Sequence, residues 1–164
     1  PATMEGAPGM EDAWETLAAF SLPSEPGNER LAMQRVTEAV QSPDAPWILP
    51  PARLDRLKTA VAEATMNAIE HGNANRAELP VEIEVRRSPA AIAVRITDQG
   101  GGKPIGEPGT PDLEAKLAGL QSPRGWGLFL IEKMVDEMTI MSDAAHHTIE
   151  LVLYREGKGG DHAK

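Results

Sequence analysis

"VEIEVRRSPAAIAVRITDQGGG", residues 81–102, holds the pattern that decides the fold. Val81, Ile83 and Val85 alternate with Glu82, Glu84 and Arg86, which gives a strand with one apolar and one polar face. Ile92, Val94 and Ile96 repeat the alternation, and the short break around Ser88–Ala90 joins the two runs as a hairpin. The second run ends on Asp98, Gln99 and three glycines, where a plain turn needs one glycine or two. Strand parity puts Asp98 on the apolar face with Ile92, Val94 and Ile96, where a carboxylate loses hydration unless it meets a donor. Two readings stand. Asp98 caps its own backbone at a hairpin end, or it accepts from a ligand such as an adenine amino group while the glycines let that ligand approach.

Outward from the hairpin, "WETLAAFSLP" (14–23) reads as a short first strand. "SEPGNERLAMQRVTEAVQ" (24–41) reads as a helix, with Met33, Val36 and Val40 at helical spacing. Pro43, Pro46, Pro50 and Pro51 break it and start a second helix over roughly 51–72, striped by Leu54, Leu57, Val61, Ala64 and Ala68. Gly72–Asn73 is a stop. Residues 99–124 form a long connection of the length typical of lids and binding loops. One short helix is expected in it, capped by Thr110, with Pro111 first and Gly119 after its end. A third full helix starts near Gly125, with Leu128, Ile131, Val135 and Met138 as its stripe. "TIMSD" (139–143) and "HTIELVLYR" (147–155) close the chain as strands. Strands arriving in adjacent pairs predict a mixed, largely antiparallel sheet covered on one face by helices, an α/β (α+β) two-layer sandwich. A single domain is expected over 14–155, between disordered tails at 1–13 and 156–164.

The 164 residues suffice for one domain with a sizeable core, and 4% aromatic content makes that core aliphatic. A net charge of −9 argues against nucleic acid or an anionic membrane as the main partner. Without cysteine there are no disulfides or thiolate metal sites. No apolar stretch approaches the length of a membrane span, and no secretory signal opens the sequence, so a cytoplasmic location is expected.

Two further stretches carry chemistry. In "VAEATMNAIEHGN" (61–73), Glu63 and Asn67 are four apart on one helical face, nearly opposite the apolar stripe. A solvated face has the same pattern, and His71 beside Gly72 also fits a helix end favoured by the dipole. Mg²⁺ needs only one or two protein oxygens where phosphates and waters supply the rest. In "SPRGWGLFLIEKM" (122–134), Arg124 and two glycines open the third helix, whose N-terminus offers N–H groups and positive potential to phosphate. No Gly-Lys-Ser/Thr follows, so this is not a P-loop.

The three stretches in this order resemble the GHKL ATPase superfamily with its Bergerat ATP-binding fold, over about residues 16–155. "LKTAVAEATMNAIEHGN" (57–73) and the short single domain look most like the bacterial anti-sigma factor serine/threonine kinases. The resemblance implies ATP and Mg²⁺ as ligands, with Glu63 as general base toward a protein serine and Asn67 as the Mg²⁺ ligand. It implies that Asp98 binds the adenine amino group and that Gly100 and Gly102 form the turn beside the base. Arg124, Gly125 and Gly127 would contact the phosphates, with Trp126 and Leu128 in the same nucleotide-binding helix start. His71 and Gly72 fit the end of the Asn-containing motif. Thr148 matches a threonine that supports the adenine end, although His146–His147 stand where small residues are usual, and residues 103–123 do not match position by position. The implied partners are a sigma factor and a small anti-anti-sigma protein of the STAS type, with a homodimer. Two alternatives stay open: an ATP-gated binding module without catalysis, and the ATP lobe of a histidine kinase or larger signalling protein.

Overall fold

The computed structural model describes residues 13–100 and 123–156, and within the second span the side chains from Gly127 onward. The expected short helix around Thr110, residues 101–122 of the long connection and both tails lie outside these residues, apart from Ala13 and Glu156 at the inner ends of the tails.

Five strands form one sheet in the order β1-β2-β3-β5-β4: β1 (Glu15–Pro23), β2 (Pro80–Arg87), β3 (Ala91–Asp98), β4 (Glu137–Ser142) and β5 (His147–Tyr154). Every neighbouring pair is antiparallel. The β2–β3 hairpin turns at Ser88, whose Oγ accepts from the N–H groups of Ala90 and Ala91. The register aligns the apolar rows across the sheet: Ile83 faces Ile96, which faces Ile149, and Val85 faces Val94, which faces Leu151.

Among the described residues three α-helices, α1 (Asn28–Val40), α2 (Pro51–Asn67) and α3 (Pro123–Met134), accompany the sheet. α2 begins with Pro51 at its first position, where the missing N–H costs no helical bond. Leu57, Val61 and Ala64 of α2, Val36 and Val40 of α1, and Leu128 and Ile131 of α3 join the inward rows of β2, β3 and β5 in one aliphatic core. The opposite sheet face carries polar rows, such as the Arg95–Glu150 ion pair at 2.8 Å.

Three boundaries differ from the sequence reading. Ala32, not Met33, leads the buried stripe of α1. The second helix ends its α-helical part at Asn67 and continues as a π-helical turn over Ala68–Gly72. α3 stops at Met134, so Met138 belongs to β4 rather than to the helix. The cause of the last is Asp136. Its N–H donates to Val152 O at 2.9 Å, while its carboxylate accepts from Tyr154 N–H at 2.7 Å and pairs with Arg53. These bonds tie the chain to β5 and start a strand.

Candidate nucleotide-binding site

Glu63 and Asn67 lie one turn apart near the C-terminal end of α2, and both are half-buried. They face the start of α3 rather than open solvent. A methyl group on Gly127 would lie 3.1 Å from Asn67 Nδ2 and 3.4 Å from Glu63 Oε1, so the two helices approach this closely because residue 127 has no side chain. Asn67 Nδ2 is buried and has no hydrogen-bond partner among the described residues. Burial pushes the Glu63 carboxyl above its ordinary range, and the nearby carboxylates of Glu70 and Glu29 push it further.

Past Asn67 the helix widens into the π turn, a feature that collects at functional sites. Asn73 closes it by donating its N–H to Ala68 O at 2.9 Å. The side chain of Asn73 is 1% exposed and ties three segments together. Its Nδ2 donates to Ser24 Oγ at 2.8 Å and to Pro80 O at 3.1 Å, and its Oδ1 accepts from Gln99 N–H at 2.7 Å. Ala74 and Asn75 follow with φ of 54° and 60°, a left-handed pair that turns the chain toward β2.

This anchoring brings Gly72 against the end of β3. A Cβ on Gly72 would fall 2.1 Å from Asp98 Oδ2, and one on Gly100 would fall 2.3 Å from Gly72 O. Both positions require glycine because backbone and carboxylate occupy the space. His71 sits half-buried in the same turn.

Asp98 lies on the core face, as strand parity predicts, and is 6% exposed. Its Oδ1 accepts from Gly100 N–H at 2.8 Å. The backbone cap and the ligand acceptor were alternatives in the sequence; the structure contains the cap, and the same carboxylate stands at a glycine-lined strand end.

Thr148 is not beside it. In the β3–β5 register Thr148 faces Thr97, and the two hydroxyls lie 2.9 Å apart on the polar sheet face. There Thr148 borders a groove of about 560 Å³ with Ser21, Glu84 and Met141, and neither Glu63, Asn67 nor Asp98 lines that groove. The direct partner of Asp98 is His147, 2% exposed, with Nδ1 3.3 Å from Asp98 Oδ1. The signal for this was in the sequence: His147 has the parity of Ile149, Leu151 and Leu153, the buried row of β5.

Leu128 is fully buried in the core, so its side chain packs rather than lining the site. Arg124, Gly125 and Trp126 fall in the first turn of α3, and their side chains lie outside the described residues, as does Gly102.

No group of three or more His, Asp or Glu side chains gathers to hold a metal among the described residues. The donor set, one amide oxygen on Asn67 beside a glycine cradle and an acidic surround of Glu63, Glu70 and Glu29, fits a Mg²⁺ ion that arrives with phosphates, not one held by protein alone. The surrounding carboxylates add favourable potential for a cation.

An open antiparallel sheet with helices on one face and a buried carboxylate at the end of a central strand is the arrangement expected of a Bergerat-type ATPase domain. Residues 22–153 match the model of the histidine kinase-like ATPase domain, and the chain belongs to that family. Two anti-sigma F factors of Clostridium botulinum, from strains Eklund 17B / Type B and Alaska E43 / Type E3, are each 32% identical to it over 94 residues. Each match covers 53% of this chain and 60% of the relative, so the chain spans less than two thirds of the proteins it resembles. Among solved structures, the RsbU and RsbW domains of Rv1364c from Mycobacterium tuberculosis share the fold, with a TM-score of 0.56 and 17% identity over 83% of this chain and 32% of that one. Among the described residues no helix is long and apolar enough to cross a membrane.

Proposed function

We propose that this protein is an ATP-dependent serine/threonine kinase that acts as an anti-sigma factor, holding a sigma factor and phosphorylating a serine on a small STAS-type antagonist. The observation that carries this reading is the placement of Glu63. It stands one helical turn from Asn67, at the glycine-lined approach of α3, with its carboxyl raised by burial and by Glu70 and Glu29. A carboxylate tuned upward is a better proton acceptor, which suits a general base. The likeness to anti-sigma F factors supports the same class of role.

In this scheme Asp98 accepts from the adenine amino group, while Gly72 and Gly100 let the π turn and the end of β3 pack directly against each other around its carboxylate. Glu63 takes the proton from the serine hydroxyl as its oxygen forms a bond to the γ-phosphorus and ADP departs. Asn67 would hold Mg²⁺, which would supply positive charge to offset that of the phosphates. Arg124 and Gly125 at the start of α3 are assigned to the phosphates, together with Gly127 and the helix N-terminus. Phosphorylation adds negative charge to the antagonist's binding surface and releases it, leaving the kinase free for sigma. A homodimer and a cytoplasmic location belong to the same reading.

The test is transfer of labelled γ-phosphate from ATP to a STAS-type antagonist protein, with the modified residue mapped. A phosphoserine on the antagonist supports the proposal. Nucleotide binding without transfer to any such protein would leave the ATP-gated module.

A further inference from the structure

We propose that His147 is the positioning residue for adenine recognition, acting through Asp98. The inference rests on the reading of Asp98 as the adenine acceptor and extends it to a residue that no similarity assigns. Asp98 and His147 are direct cross-strand partners at the ends of β3 and β5, and both are more than nine-tenths buried. His147 Nδ1 lies 3.3 Å from the same Oδ1 that accepts from Gly100 N–H at 2.8 Å. The Gly100 N–H bonds this oxygen and the imidazole packs against it at ion-pair distance from the other strand, so both restrict the orientation of the carboxylate. Its other oxygen is held against the bare α-carbon of Gly72. A carboxylate fixed in one plane presents its lone pairs in one direction, which is what recognition of a purine by a single amino group requires.

The neighbouring position explains why this work falls to residue 147. Thr148 is turned to the opposite sheet face and bonded to Thr97, so its hydroxyl lies across the sheet from Asp98. A strand alternates faces at each residue, and only residue 147 meets Asp98 on the core side. The imidazole also fills the space at this end of the core, beside the inward row that continues through Ile149.

The experiment measures ADP and GDP dissociation constants by calorimetry, together with Tm, for the wild type, His147→Ala, His147→Asn, Asp98→Asn and the double variant His147→Ala/Asp98→Asn. Asparagine keeps an N–H donor on a shorter side chain. The expected result is that His147→Ala weakens ADP at least tenfold with GDP little changed, so that the preference for adenine collapses. His147→Asn should recover most of it. In the Asp98→Asn background His147→Ala should have almost no further effect on ADP, because the two act as one unit. Equal losses of ADP and GDP that track the fall in Tm would reduce His147 to a packing residue and overturn the proposal. So would full additivity in the double variant. If His147→Ala does not fold, His147→Leu, which fills the space without a donor, carries the test, and an unchanged ADP-to-GDP ratio in it contradicts the claim. A wild-type protein that binds no ADP would instead refute the nucleotide reading itself, before any variant is compared.

Discussion

Gly127 on α3 stands so close to Asn67 on α2 that a single methyl group there would come within 3.1 Å of the amide nitrogen. The contact is tight but not prohibitive, so the Asn67 amide would move by a few tenths of an ångström. Alanine also favours the helix by up to about 1 kcal/mol relative to glycine. Gly127→Ala is therefore expected to leave Tm nearly unchanged while weakening Mg-ATP binding and transfer together. Thermal melts and calorimetry on one preparation check it, and a loss of fold stability without a loss of affinity would contradict the placement.

Asp98→Asn replaces an acceptor oxygen by an amide whose N–H₂ cannot accept from adenine. An unsatisfied buried contact costs about 1–3 kcal/mol, which is about 5- to 150-fold in Kd. Adenine nucleotides should weaken by that factor while circular dichroism reports an intact sheet. Unaltered ATP affinity would remove Asp98 from the site.

How much of this was legible beforehand differs by element. The hairpin and the inward position of Asp98 followed from a period of two, because β2 and β3 pair without a slip. The same rule applied to β5 places His147 on the core side with Asp98, and Thr148, which the motif match names, on the opposite face beside Thr97. The extension of α3 to Met138 failed because Val135 and Met138 keep helical spacing while Asp136, through bonds to β5 that no local pattern encodes, ends the helix. The π turn and the buried hub at Asn73 were hidden for a similar reason. A polar residue after Gly72 reads locally as a loop, and its partners Ser24, Pro80 and Gln99 are distant in sequence or beyond a turn. Glu63 and Asn67 shared a face with a bland solvated reading until α3 was seen to approach them.

The raised carboxyl of Glu63 makes a prediction about stability. A group whose native pKa lies above its unfolded value stabilises the fold fully below that unfolded value, near 4.5 here, and the contribution is lost as pH rises through the native value. At neutral pH the ionised Glu63 thus costs stability, since burial and two neighbouring carboxylates oppose its charge. Glu63→Gln should melt at a higher temperature than wild type at neutral pH, and the gap should close as the pH falls through and below the ordinary carboxylate range. A gap that persists or widens in acid would contradict the shift.

Tyr154 is the sole tyrosine, so tyrosinate absorbance reports on it alone. Its hydroxyl donates to Glu137 Oε2 at 2.5 Å, and this bond, with burial and the charges of Glu137 and Asp136, pushes its pKa up to about 12. The associated stability is present below the ordinary phenol value of 10.0 and is lost as the pH rises through about 12. A spectrophotometric titration should show the late transition, and Glu137→Gln should bring it down toward the ordinary value. A wild-type midpoint at the ordinary value would show the contact is not made.

The account stands most directly on single-turnover transfer from Mg-ATP to the antagonist, measured for wild type and Glu63→Gln with nucleotide and sigma-factor affinities determined in parallel. Glutamine keeps the shape and helix propensity of residue 63 but cannot take a proton. The variant should bind Mg-ATP and sigma nearly as wild type does and transfer phosphate about 10²–10⁴-fold more slowly, the usual span for loss of a general base. A Glu63→Gln protein that phosphorylates the antagonist at the wild-type rate would contradict the role assigned to Glu63, and with it the observation on which the kinase reading rests.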